Sequence, residues 1–221
     1  MNEELYIIAN WKMNPQTLDE ALALANRVKE GVANTQGSKV VLCPPFPFIS
    51  YILPSEHVEM GAQNCFWEGK GAFTGEISPR MLKELGCTYV ILGHSERAKY
   101  LGETQEMVRK KTKAALEAGL RVVLCVGENE ETPADAENLI VVYEPEWAIS
   151  SEGGDAADSK LVAARIAKMR ETLKTTPILY GGSTNSKNIQ TFLQAGAQGA
   201  LVGSASLDAE EFISLVKNAV S

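Results

Sequence analysis

The stretch L-I-V-V-Y-E-P-E-W-A-I, residues 139–149, decides the fold. Its leading residues, Leu139 to Val142, are apolar without alternation. That is the pattern of a strand buried on both faces, as in parallel sheets covered by helices. Pro145 has no N–H and cannot continue a ladder, so Tyr143 and Glu144 stand at the carboxyl end of that strand. Residues 150–154 then read S-S-E-G-G, the composition of a loop. A carboxylate on a rigid strand end beneath a loop able to move suits an enzyme that abstracts a proton. Taken alone, the stretch favours the plainer reading of a solvated glutamate at a strand terminus.

Outward from that strand the same unit recurs. Upstream lie apolar runs at Tyr6–Ala9, Lys39–Cys43, Val58–Gln63, Thr88–Leu92 and Arg121–Val126; downstream lie Pro177–Tyr180 and Ala200–Val202. Helical stretches stand between them. Thr17–Ala33 carries Leu18, Ala21, Leu22, Ala25 and Val28 on one stripe. A short patch follows at Phe46–Leu53, then Pro79–Leu85, Thr104–Glu117, Asp158–Leu173, Asn185–Gln194 and Asp208–Val220. Strands followed in turn by helices imply parallel pairing with right-handed crossovers. A closed (β/α)8 barrel and a doubly wound open sheet both meet that requirement. The polar chemistry favours the barrel. Asn10, Lys12, His94, Glu96, Glu144, Ser183 and Gly203 all fall just after strands, and in a barrel such positions meet on one face. No G-x-G-x-x-G follows the first strand, which removes support for a dinucleotide fold. The reading is one barrel domain over residues 1–221.

Asp and Glu number 28 against 21 Lys and Arg, a net charge of -7 that disfavours nucleic acid and anionic membrane surfaces. No apolar run reaches the length of a membrane span, and the M-N-E-E start lacks the basic residues of a signal peptide. Cys43, Cys65, Cys87 and Cys125 form no C-x-x-C pair, and the two histidines, His57 and His94, are far apart. The expectation is reduced, mostly buried thiols in a cytoplasmic protein with no metal site.

Eight motifs run in order along almost the whole chain: N-W-K-M-N at 10–14, G-A-Q-N at 61–64, T-G-E-I-S at 74–78, I-L-G-H-S-E-R at 91–97, L-C-V-G-E at 124–128, Y-E-P-E-W-A-I at 143–149, Y-G-G-S at 180–183 and L-V-G-S-A-S-L at 201–207. Together they resemble the triosephosphate isomerase family. The resemblance implies a TIM barrel, usually a homodimer. It also implies interconversion of dihydroxyacetone phosphate and D-glyceraldehyde 3-phosphate, without a cofactor, in glycolysis and gluconeogenesis.

Such a reaction needs a base, an electrophile for the developing enediolate and an anchor for the phosphate. The resemblance assigns the base to Glu144, the electrophile to a neutral His94, and electrostatic balance to Lys12, with Asn10 and Glu96 as positioning residues. His94 precedes Ser95-Glu96-Arg97, where a helix can begin and its backbone N–H groups disfavour imidazolium. The phosphate falls to backbone N–H groups at Ser150, Ser183, Gly203 and Ser204. The glycine-rich excursion from Cys65 to Glu76, with Thr74 near its tip, matches the family's interface loop, and Met13 lies opposite it in a second subunit. Cys125, near the base, reads equally well as a small core residue.

The chain departs from the family pattern in four places. Only residues 129–138 stand where the fifth helix belongs, so the fifth helical unit is shortened to one or two turns. In the lid, Ser150-Ser151-Glu152 precede Gly153-Gly154. Ser204 replaces a second glycine, and Glu146 replaces a small apolar residue beside Pro145. Glu146 is expected to face away from the substrate and to tune the hinge. Two rival readings are a different phosphate-binding barrel, such as a phosphoribosyl isomerase, and a silent descendant acting as a scaffold. The first does not account for N-W-K, G-H-S-E-R and Y-E-P together, and the second does not account for the retention of Lys12, His94 and Glu144.

Overall fold

The computed structural model describes residues 4–148 and 157–221. Eight strands pair in parallel and in chain order: β1 (Leu5–Asn10), β2 (Ser38–Cys43), β3 (Val58–Ala62), β4 (Tyr89–Leu92), β5 (Arg121–Val126), β6 (Leu139–Tyr143), β7 (Ile178–Tyr180) and β8 (Gly199–Val202). The sheet closes, with Tyr6 to Ala9 of β1 in register with Gly199 to Val202 of β8. Gly199 makes that seam: its φ is +134°, and a Cβ there would lie 1.9 Å from the Tyr6 carbonyl oxygen. The closed barrel, not the open sheet, is the arrangement.

Side chains alternate across the wall. Ile8, Val41, Ile91, Val123, Val142 and Leu201 fill the interior. Val90, Val122, Val141 and Ile178 belong to one outer core, and Ile7, Val40, Leu42 and Val202 to another. The outer layer consists of α1 (Leu18–Val32), α2 (Phe46–Ile49), α3 (Pro79–Glu84), α4 (Ser95–Leu101), α5 (Gln105–Glu117), α6 (Ser159–Arg170), α7 (Ile189–Gln194) and α8 (Ala209–Ala219). Their starts are written locally. Thr17 and Glu20 form a reciprocal cap on α1, and the Asp208 carboxylate accepts from the N–H groups of Glu210 and Glu211 at the head of α8.

Three details differ from the sequence reading. Helix α4 is a separate helix, ended by Gly102 at φ +65° before α5 begins. Helix α7 starts at Ile189, because the Asn185 side chain first accepts from Lys187 and Asn188 in a turn. Residues 127–138 contain turns and irregular backbone with no helix at all, so the shortening of the fifth unit is complete. Pro133 interrupts that segment, and only five residues remain before β6. Among the described residues, no helix is long and apolar enough to cross a membrane.

Candidate active site

The carboxyl ends of the strands converge on a cleft lined by Asn10, Lys12, His94, Glu144, Gly181 and Gly203 among others. Glu144 leaves β6 with its N–H still donating to Val126 O at 3.0 Å, so the ladder positions it before Pro145 turns the chain away. Its side chain is 3% exposed. Carboxylate oxygen Oε1 lies 3.1 Å from His94 Nε2, and Oε2 accepts from the Ser95 N–H at 3.1 Å. Gly181 leaves space for this approach, since a Cβ there would lie 2.6 Å from Val142 Cγ1 and 3.4 Å from Glu144 Cβ.

His94 follows Gly93, whose φ of +71° turns the chain out of β4. The imidazole sits at the head of α4, where Nδ1 accepts from the Glu96 N–H at 3.2 Å. That bond fixes the ring so that Nε2 faces the Glu144 carboxylate.

Lys12 is in the left-handed region, at φ 54°, which is uncommon for a residue with a side chain. Two groups hold it there. Asn10 Oδ1 accepts its N–H at 3.1 Å, and Gln63 Nε2 donates to its carbonyl at 2.8 Å. Gln63 also donates to Cys43 O, tying the ends of β1 and β2 together. The ammonium meets Glu96 Oε1 at 2.5 Å, and a Cβ on Gly203 would lie 3.4 Å from Lys12 Cε. Asn10, Lys12, His94, Glu96 and Glu144 are thus brought together from three strand ends. Cys125 lies in the barrel interior; burial, then the Glu144 carboxylate, push its thiol well above the usual range, so it is a neutral core group.

The other expected contacts divide. Gly203 lines the cleft, with Ser204 opening a 3-10 turn directly after it. The Ser183 N–H and Oγ both donate to Ala148 O, at 2.8 and 2.9 Å, which ties the strand-7 loop to the residues leading into the lid. Ser150, the rest of the lid to Gly154 and the side chain of Glu146 lie outside the described residues. Thr74 and Met13 are exposed, Met13 at 82%. The excursion bearing Thr74 is braced by its own aromatics: Phe66 packs on Trp67 and Phe73, and the Phe66 N–H donates to Ile77 O at 2.8 Å. Two functional groups escaped the sequence reading, the Ser95 backbone N–H and the Gln63 amide. Gln63 had a signal, being part of G-A-Q-N directly after β3.

Comparison with known proteins agrees over nearly the whole chain. The family model described as Triosephosphate isomerase matches residues 5–219. A curated protein named triosephosphate isomerase from Dehalococcoides mccartyi strain CBDB1 is 43% identical, covering 98% of this chain and 96% of that protein. One of the same name from Dictyoglomus thermophilum is 40% identical over 96% and 98%. A crystal structure of triosephosphate isomerase from Bartonella henselae superposes with a TM-score of 0.82 at 32% identity, covering 98% and 99% of the two chains.

Proposed function

The chain belongs to the triosephosphate isomerase family, and from that membership we propose the division of labour among its residues. The reaction is the family's: an intramolecular isomerisation of dihydroxyacetone phosphate and D-glyceraldehyde 3-phosphate, a step of glycolysis. Glu144 takes the proton from the carbon beside the carbonyl, and electron density moves onto the carbonyl oxygen to give an enediolate. His94 Nε2–H and the Lys12 ammonium stabilise that oxygen, and the protonated Glu144 returns the proton to the neighbouring carbon. Asn10 and Glu96 hold Lys12. The phosphate is held at Gly203 and Ser204, at Ser183 once its bonds to Ala148 are released, and at Ser150 from the lid. No cofactor enters this scheme. One observation carries it: a histidine and a buried carboxylate 3.1 Å apart, in one cleft with a lysine held in a left-handed conformation.

The assay is turnover of glyceraldehyde 3-phosphate in a coupled reaction. Wild-type activity with loss in both Glu144→Gln and His94→Gln supports the assignment, and retention of more than half the activity in Glu144→Gln rejects it. We further propose a homodimer in the cytoplasm. Exposed Met13, Phe73, Tyr100 and Leu101 supply apolar surface for a partner, and all four cysteines are free and buried. Deleting Glu68 to Phe73 is expected to give monomers with impaired activity. Unchanged elution on size exclusion counts against the dimer.

A further inference from the structure

A second recess adjoins the cleft and shares His94 and Glu144 with it. Its volume is about 30 Å³, room for a water molecule or two. Two residues lining it each carry a buried polar atom with no hydrogen-bond partner among the described residues, Ser95 Oγ and Glu103 Oε2. Glu103 is the centre of a buried charge cluster. Its Oε1 accepts from Arg97 Nε at 3.1 Å and from Lys111 Nζ, and Lys111 also donates to Asn64 Oδ1 at 2.9 Å. The Glu103 side chain is 4% exposed and that of Lys111 6%. One oxygen of this carboxylate is therefore doubly served while the other has no donor, an arrangement that costs free energy unless a small molecule supplies one. Glu130, which also lines the recess, does not compete: its carboxylate is taken by the Gly127 N–H at 2.8 Å and by the Gln105 amide.

We propose that the recess binds an ordered water that donates to Glu103 Oε2 and bonds Ser95 Oγ, making Glu103 a positioning residue for the base. The inference rests on the reading of Glu144 as that base. The chain of contacts is short. Arg97 and Lys111 fix Glu103, the water fixes Ser95, and the Ser95 N–H holds Glu144 Oε2. The Glu103 N–H also donates to Arg97 O at 3.2 Å, so the same residue anchors the far end of α4.

A high-resolution crystal structure of the protein is expected to show a water within hydrogen-bonding distance of both atoms, and that of Ser95→Ala to lose it. Ser95→Ala and Glu103→Gln are each expected to lower kcat roughly three- to tenfold with KM little changed, the loss of one modest hydrogen bond. Because both act through one water, the double variant should be no slower than the worse single variant. Losses that multiply, or no water between the two atoms, overturn the proposal. If Glu103→Gln does not fold, Ser95→Ala decides, since it removes no charge: an unchanged kcat overturns the proposal and a lowered kcat with loss of the water supports it. Activity surviving in Glu144→Gln would instead remove the base assignment and leave the water in place, so the two failures are distinguishable.

Discussion

Against β8 and β1 the barrel is fully clothed: α8 buries Phe212, Ile213, Leu215, Val216 and Ala219, and α1 buries Ala21, Ala25, Val28 and Val32. Against β5 it is barer: α5 packs there, but no helix follows the strand. None of residues 127–138 is buried, and Leu124 of β5 and Leu116 of α5 remain partly exposed. A groove of about 710 Å³ opens there, floored by Val108, Leu116, Leu124 and Val126. Polar ties stand in for packing. Arg165 Nη2 donates to Glu130 O at 2.9 Å, and the Asp135 carboxylate accepts from the N–H groups of Lys174, Thr175 and Thr176. Yet the bare flank is the one beside Glu144, the proposed base. Five register pairs still join β5 to β6, every residue of β6 is buried, and the Glu144 N–H extends the ladder by one more bond. The placement of the carboxylate is therefore set by the closed sheet, and the outer layer contributes stability more than geometry.

The most severe way to separate the two is Glu144→Gln. The amide keeps the shape and the ladder bond but cannot take a proton, so kcat should fall about 100-fold or more while the melting temperature stays near wild type. A coupled assay and a thermal melt on the same sample check this. A large drop in melting temperature would mean that the site and the wall are not separable. His94→Gln should also lower kcat strongly, and NMR of the ring nitrogens should report a neutral imidazole at neutral pH.

Packing gives the next contrast. Phe212→Ala on the clothed flank removes a fully buried ring and should cost about 3–5 kcal/mol in chemical denaturation. Leu124→Ala on the bare flank should cost less, about 1–2 kcal/mol, because its side chain is already partly exposed. Equal losses would mean that the groove is covered in solution.

The legibility of the sequence follows the same division. Strand ends were readable because each is marked by a residue that cannot continue a strand or by polar chemistry: Pro145 after Glu144, Pro44 after Cys43, Gly93 before His94. The side chains proposed as catalytic sit at those marks, and the family resemblance supplied their roles, so most of the cleft could be assembled without coordinates. What could not be read was carried by backbone or by side chains reaching across the barrel. The Ser95 N–H on Glu144 and Ser183 on Ala148 have no local sequence signature, because their partners are distant in the chain, and the G-A-Q-N motif marks Gln63 without showing that its amide reaches Lys12 and Cys43. Residues 129–138 stand where the family places its fifth helix, and their number leaves room for only a turn or two. Asp135 spends its carboxylate on three N–H groups some forty residues away, and the segment stays irregular.

That same carboxylate gives the smallest effect, and one with a definite pH signature. The adjacent Thr176 hydroxyl, and then the N–H groups of Lys174, Thr176 and Thr175, hold the Asp135 carboxyl well below the usual carboxylate range. A group whose pKa is depressed by folding stabilises the fold above its unfolded value, about 3.9 for aspartate, and loses that contribution as pH falls through the folded value. Asp135→Asn should therefore lower the melting temperature modestly at neutral pH, since the residue is exposed and solvent screens it. The gap to wild type should stay constant on acidification to about pH 5, begin to shrink near pH 4, and narrow further below that. Differential scanning fluorimetry across that range measures it. A gap that kept its full size at the lowest pH would mean that the charge of Asp135 takes no part in the tie, and that the bare flank is held by hydrogen-bond geometry alone.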